Sequence, residues 1–524
     1  MTHCSTEYVL PSGAKAEVFL TELEDQVVLS QPETSQENRF FVDTFDRRIQ
    51  RLGGSLWWQR QKDGVRLFWR SAPGQRPSSW PLQDCPTFAS ALPKGSLRTA
   101  LEPVIQMRRL LPLVEVRLKA SVFRVLDRRQ KTVAYLHWVQ SQAVLPRDTA
   151  GRGKRRWDLT DRFAIEEIRG YSKKFQRLTR LLGAAGLRPA ETTQLEAALA
   201  AAGCSQGSKS SKLQLELSAR QPAEEALQQI FLHLLSVLEV NEAGVRSDLD
   251  SEFLHEFRVA VRRTRAALTQ VRGVFPATVV ERFRQEFSWL GKVSGPTRDL
   301  DVYLLKMPTY EEHLPPSIRA DLEPLRHHLR GRQRREQKRL TRALASPRYR
   351  SIKKDWRQEL ESKRPSGESP PNALMPISKV AAKRIWKAYK KVFTRGSAIH
   401  RDTPAEALHD LRIDCKKLRY LLEFFRSLFA PQPIASLIRD LKKLQDTLGD
   451  FNDFEVQRDQ LSQYADEMTS EGSAPASTLL AMGRLLALLE EWQHRERLGF
   501  HPRFEAFSKS RPVAQKLFRG ENRS

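Results

Sequence analysis

The chain reads as a multi-domain protein, with a β-rich, α+β N-terminal region and an all-helical C-terminal region built from two related halves. Three observations predict this. Up to about residue 150, short aromatic and β-branched runs alternate with Gly and Pro punctuation. From about residue 220 onward, apolar residues recur at the three- and four-residue spacing of amphipathic helices. Within that helical part, one segment occurs twice. A length of 524 residues also exceeds what one compact core accommodates, so two or three domains are expected.

The strand-like runs are RFFVDTF (39–45), VRLFWR (65–70), VEVRLK (114–119) and TVAYLHWV (132–139). Two helical patterns follow: EEIRGYSKKFQRLTRLLGAAG (166–186), closing on glycine, and ETTQLEAALAAAG (191–203). The stretch GCSQGSKSSK (203–212) has linker composition. The expected organisation is therefore a first domain at 1–203, a linker at 204–219, a helical domain at 220–510 and a basic tail at 511–524. The clearest helical patterns are EEALQQIFLHLLSVLEV (224–240), HEFRVAVRRTRAALTQVRGVF (255–275) and ALHDLRIDCKKLRYLLEFFRSLF (407–429), with further stretches after 320 and 377. A proline-rich break, KRPSGESPPNALMP (363–376), separates a first half at about 220–350 from a second at about 377–510.

The repeat is HEFRVAVRRTR (255–265) against HDLRIDCKKLR (409–419), an offset of 154 that continues without a gap. Phe275 falls on Phe429, Leu290 on Leu444, Gly295 on Gly449, Asp299 on Asp453 and Val302 on Val456. Agreement over some 48 residues in glycine, acidic and basic positions marks an internal duplication and predicts a bundle with pseudo-two-fold symmetry. At about 100° per residue, His255, Arg258, Arg262 and Arg265 fall within an arc of roughly 80°, and so do His409, Arg412, Lys416 and Arg419. Arg263 and Lys417 flank these stripes. Ordinary solvated helix faces mix charge signs, because like charges four residues apart repel. Two self-repelling ridges predict anion sites, with each histidine at the helix N-terminal end either a further donor or a structural residue. The paired acidic motifs RDLDV (298–302) and NDFEV (452–456) are expected to anchor ridge arginines or cap helices rather than hold a metal.

Composition agrees. Lys+Arg 88 against Asp+Glu 62 gives a net charge of +26, which calls for a polyanionic partner: nucleic acid, an anionic membrane surface or a phosphate polymer. No apolar run approaches the roughly 18 residues of a membrane span. The start MTHCSTEYVLPSG lacks a signal-peptide pattern. Cys4, Cys85, Cys204 and Cys415 show neither CxxC nor zinc-type spacing, so a reduced, cytoplasmic setting with no metal and no cofactor is expected.

HxxRVxxRRxR followed by RDLDV, then HxLRIxxKKLRYLLEFF followed by LQDTLGDFND, resembles the CHAD domain, the conserved histidine α-helical domain, over roughly residues 220–510. The resemblance implies a bundle of two similar four-helix halves that binds inorganic polyphosphate in a basic central groove or pore, on polyphosphate granules. It implies that His255, Arg258, Arg262, Arg263, Arg265, His409, Arg412, Lys416, Lys417 and Arg419 face the polymer. Arg326, Arg330, Arg334, Lys383, Lys387, Lys390 and Lys391 are further anion-binding candidates.

The segment RFFVDTFDRRIQRLGGSLWWQRQKDGVRLFWR (39–70) is similar to the core of the CYTH domain, the triphosphate-tunnel fold, which implies an antiparallel tunnel or barrel at the N-terminus. The family's opening ExExK is absent, with only Glu7 remaining in TEYVLP. VEVRLK offers Glu115, Arg117 and Lys119 on one strand face, and tunnel enzymes need several carboxylates for their divalent ions. A non-catalytic CYTH-like module is therefore expected, beside a helical domain that binds polyphosphate. The alternatives are a tunnel triphosphatase or polyphosphatase served by the helical domain, and a nucleic-acid-binding protein. The last is disfavoured by the absence of aromatic stacking platforms and reading motifs.

Overall fold

The computed structural model describes residues 7–519 except 12, 74, 76, 107, 146–154, 204–214, 363–369 and 401. The chain divides into two compact units, Met1–Lys209 and Ser210–Ser524. Most of the sequence-predicted linker 204–219 and half of the proline-rich break lie outside the described residues.

Among the described residues, the first unit is one antiparallel sheet with five α-helices. Its strands are β1 (Glu7–Val9), β2 (Val28–Leu29), β3 (Glu33–Asp43), β4 (Ser55–Gln61), β5 (Gly64–Arg70), β6 (Ser78–Leu82), β7 (Leu111–Leu126), β8 (Thr132–Val144), β9 (Arg156–Glu167) and β10 (Arg188–Pro189). They are ordered β10-β1-β9-β8-β7-β3-β4-β5-β6, with β2 beside β7. The helices are α1 (Ala16–Glu24), α2 (Arg48–Arg51), α3 (Ser96–Ile105), α4 (Ser172–Ala184) and α5 (Gln194–Ala201). Strand alternation sends Phe123, Val125, Leu136, Phe163 and Ile165 to one face, where α1 and α4 cover them. Val114, Val116 and Leu118 go to the other, where they pack with Phe41, Trp57 and the Leu195 and Leu199 of α5. Asp43, in the DTF motif, has a structural role: its carboxylate accepts from the backbone N–H groups of Thr44, Ile49 and Gln50 at 2.7–2.9 Å.

The helical pattern expected from residue 166 begins later. Ala164 and Ile165 still pair with β8, the chain turns at Gly170 with φ 94°, and α4 starts only at Ser172.

The second unit is all helical: α6 (Ala223–Arg246), α7 (Ser251–Gln270), α8 (Ala277–Glu312), α9 (Glu323–Ala345), α10 (Pro347–Glu361), α11 (Ile377–Ser397), α12 (Ala405–Phe424), α13 (Pro431–Ser470), α14 (Ala476–Ser508) and α15 (Arg511–Arg519). The starts of α6, α7, α8 and of α11, α12, α13 keep the repeat register within a residue or two of helix-end scatter. The halves then diverge. The first breaks at Ser346–Pro347 into α9 and α10, while the second runs on through the 33-residue α14. In the segment 511–524, Arg511–Arg519 form α15, whose Phe518 is buried edge-on against Phe429 at 5.0 Å.

Two of the packing centres among the described residues bear on the groove's frame. Trp356 is fully buried among Phe231, Phe275, Phe283 and Phe287 of the first half. A second core joins the halves: Leu300, Tyr303, Met307 and Tyr310 of α8 and Leu325 and Leu329 of α9 meet Leu461, Tyr464 and Met468 of α13 and Leu485 and Leu489 of α14.

Candidate polyanion-binding site

The site is built on α7 and α12. On α7, Phe253, Leu254, Phe257, Val261 and Leu268 are buried and fix the helix's rotation; on α12, Leu408, Leu411, Cys415, Leu418 and Leu422 do the same. That rotation turns the ridge arginines toward α8 and α13. Each histidine stands on the fifth residue of its helix, one turn inside the end where the sequence placed it. The α7 N-terminus is capped by Asp250, whose carboxylate accepts from Glu252 N–H at 2.7 Å.

On the first half, Arg258 Nη1 donates to the Gly291 carbonyl at 3.0 Å and to Ser294 Oγ at 3.1 Å. The close approach needs small residues on α8. A Cβ at Gly295 would stand 3.4 Å from Arg258 Nη1, and one at Gly291 would stand 3.3 Å from Arg265 Nη1. Arg298 Nη2 lies 3.1 Å from His255 Nδ1. A guanidinium only donates, so Nδ1 accepts and the neutral ring carries its hydrogen on Nε2. On the second half, Arg412 Nη2 donates to Asp453 Oδ1 at 2.9 Å, and His409 Nδ1 meets Asn452 Oδ1. Asn452 is the repeat partner of Arg298, and Asp453 of Asp299. The acidic motif thus anchors an arginine of its own ridge.

Electrostatics joins the two ridges into one groove. Burial pushes the Lys416 ammonium down to about 8, helped by the positive charges of Arg412, Arg262 and Arg419. Arg262 belongs to the other half. Burial likewise lowers Arg258 to about 10, against the pull of Asp299. Asp299 is itself raised, by burial first and then by Asp453 across the pseudo-dyad. Both members of the Arg258–Asp299 pair shift toward neutrality, so desolvation outweighs their attraction. The Nε–H groups of Arg258, Arg262 and Arg412 are buried and have no hydrogen-bond acceptor among the described residues.

Other predicted residues go elsewhere. Arg263, only 6% exposed, pairs with Glu423 of α12 and lies over the Tyr420 ring. Lys417 faces α11, with its Nζ 3.7 Å from Asp414. Both stand about 100° round the helix from Arg262 and Lys416, one residue away from the ridge. Arg419 borders the groove with its Nε 3.3 Å from Glu423. Arg326 is engaged by Glu311 and Glu323, and Arg330 lies 3.7 Å from Glu323. Arg334 is exposed on α9, as are Lys383, Lys387 and Lys390 on α11; Lys391 pairs with Asp414 at 2.9 Å. The groove residues that sequence reasoning missed are Ser294 and the small face of α8, because glycine and serine carry no charge signal; Arg298 stands in the RDLDV motif but was not read as a groove cation.

In the first unit the ladders keep Glu115, Arg117 and Lys119 of VEVRLK on one strand face, as the sequence predicts. Arg39 pairs with Val116, so Arg39 shares its face with Val114 and Val116, and Glu115, Arg117 and Lys119 point to the opposite face. A polar cluster of Arg39, Arg70 and Arg162 surrounds Glu7. Glu7 pairs with Arg162 at 2.8 Å and Arg70 at 3.8 Å, while Arg39 and Arg70 both overlie Trp57. Burial lowers Arg70, opposed by Glu7. Among the described residues, no three His, Cys, Asp or Glu side chains stand together as a metal site, and no helix is long and apolar enough to cross a membrane.

A helical unit with a duplicated ridge defines the class, and the family model agrees: residues 229–462 match the model of the CHAD domain. Among solved structures, the CHAD domain from the plant Ricinus communis is 25% identical with a TM-score of 0.45, covering 58% of this chain and 96% of that one. PptA from Streptomyces chartreusis is 15% identical, with a TM-score of 0.43 and coverage of 54% and 99%. The putative adenylyl cyclase HpAC1 from Hippeastrum, described as having a dominant triphosphatase activity, is 14% identical, with a TM-score of 0.26 and coverage of 37% and 94%. No curated protein matches the chain.

Proposed function

We propose that the CHAD domain binds inorganic polyphosphate without turning it over, and that it holds this chain on polyphosphate granules in the cytoplasm. The polymer lies in the groove between His255, Arg258, Arg262 and Arg265 of one half and His409, Arg412, Lys416 and Arg419 of the other. The observation that carries this reading is the set of buried Nε–H groups on Arg258, Arg262 and Arg412 without acceptors. Each unmet buried donor costs about 1–3 kcal/mol, and phosphate oxygens supply both the acceptor and the opposite charge. The ridge from residue 255 to 265 spans about 15 Å at the rise of an α-helix, so a linear chain of phosphates satisfies it where a single phosphate does not. A rigid duplex would have to lower its phosphates onto half-buried guanidinium groups, which disfavours nucleic acid. The pairing of Glu7 with two arginines supports a non-catalytic role for the N-terminal unit.

Charge reversal of one ridge, Arg258, Arg262 and Arg265 together to Glu, abolishes polyphosphate binding while the helical circular dichroism is retained. Competition at fixed salt and equal phosphate concentration leaves polyphosphate bound against duplex DNA and RNA. Undiminished polymer binding by the folded variant refutes the site, and displacement by nucleic acid refutes the ligand.

A further inference from the structure

The pseudo-two-fold is also broken beside the groove, on the flank of α11, and that break leaves a second cationic cavity. On the flank built by α6, α7 and the end of α12, Ile230, Leu234 and Val237 are buried, Phe424 is buried, and Arg263 is neutralised by Glu423. Moving each of these by the repeat offset of 154 gives the second half's version. Arg384 stands for Ile230, Ala388 for Leu234 and Lys391 for Val237. Gln270 replaces Phe424, Lys417 replaces Arg263, and Thr269 replaces Glu423. Two of the apolar contacts have become cations, the neutralising carboxylate has become a hydroxyl, and Asp414 stands where the other half has Ala260. Between α11, α12 and the end of α7, these residues line a cavity of about 320 Å³, joined by Lys387 and Arg272.

The charge there is unbalanced. Five cations line the cavity against one carboxylate, Asp414. Asp414 is already shared between Lys391 at 2.9 Å, Arg395 at 2.7 Å and Lys417 at 3.7 Å. The Arg384 guanidinium donates to the Arg272 carbonyl at 2.9 Å, and burial together with the Arg272 charge lowers its pKa. A cavity this size holds the volume of about ten waters, enough for two or three linked phosphates but not for a long chain.

We propose that this cavity is a second anion site that takes a compact oligophosphate, of the size of pyrophosphate or tripolyphosphate, independently of the groove. Arg384, Lys387 and Lys417 contact its oxygens, and Thr269 leaves room where the other half carries Glu423.

The test is calorimetric titration of the full-length chain with inorganic tripolyphosphate at fixed salt. Thr269→Glu rebuilds the missing ion pair with Lys417 and weakens one class of sites by about tenfold or more. Lys387→Glu, at an exposed position, does the same. Arg262→Glu, in the groove, leaves that class in place while lowering the affinity for long-chain polyphosphate. Absence of any tripolyphosphate site in the wild type overturns the proposal. So does an unchanged titration in both Thr269→Glu and Lys387→Glu. Failure of the groove reading is separable, since it leaves long-chain binding intact in Arg262→Glu.

Discussion

Replacing Lys416 by Met stabilises the unliganded protein and weakens its hold on polyphosphate. The magnitude follows from the groove. Lys416 is held at about 8 in the fold, against 10.5 for the free side chain, by burial and by Arg412, Arg262 and Arg419. At about 1.4 kcal/mol per tenfold change, keeping it charged below pH 8 costs roughly 3 kcal/mol. Between about pH 8 and 10.5 the unfolded chain binds more protons at this residue than the folded one, so stability rises with pH through that window. Below it the penalty is constant, and above it the penalty is gone. Urea unfolding of the helical unit, followed by circular dichroism, therefore finds Lys416→Met about 2–3 kcal/mol more stable than wild type at pH 7, with the gap closing toward pH 10.5. A variant no more stable than wild type at pH 7, or a gap that does not narrow with pH, refutes the claim that the groove stores unfavourable charge for a ligand to relieve.

Two further substitutions test the frame around the groove. Glu423→Ala leaves Arg263 buried without its carboxylate and destabilises the helical unit by about 3 kcal/mol, the low end for a buried pair because the Glu423 side chain is still 24% exposed; unfolding free energy reads it. Gly244→Ala places a Cβ 2.3 Å from the Phe253 ring and lowers stability by about 1–3 kcal/mol in the same assay, by pushing α6 from the start of α7.

The groove's cations were legible because charge at helical spacing is written directly in the sequence, and because the same pattern occurs twice. Rotation about α7 was legible too, from Leu254, Val261 and Leu268. Arg263 and Lys417 were not, since a one-residue step turns a side chain by about 100°, and only the packing of α7 on α12 decides which partner it meets. The long helices α8 and α13 escaped notice because they touch different neighbours along 36 and 40 residues, which blurs any single apolar stripe. Pro296 inside α8 reads locally as a breaker, although the fold carries the helix through it. In the first unit, strand β9 (Arg156–Glu167) was missed although its start alternates polar and apolar residues, and its last residues were read into the helical pattern from 166. Which face of β7 meets Arg39 is set by register, and a ladder is a property of two segments that neither contains alone.

The core shared by α8, α9, α13 and α14 has a consequence for how this molecule came to be asymmetric. A single half would leave Leu300, Tyr303, Leu461 or Leu485 uncovered, and two separate copies would have to find each other from solution. Joined in one chain, each half meets its mate at an effective concentration fixed by the connection rather than by abundance. A homodimer must accept every substitution on both sides of its axis at once. A fused pair accepts it on one side only, so Glu423 can go on sealing one flank while Thr269 opens the other.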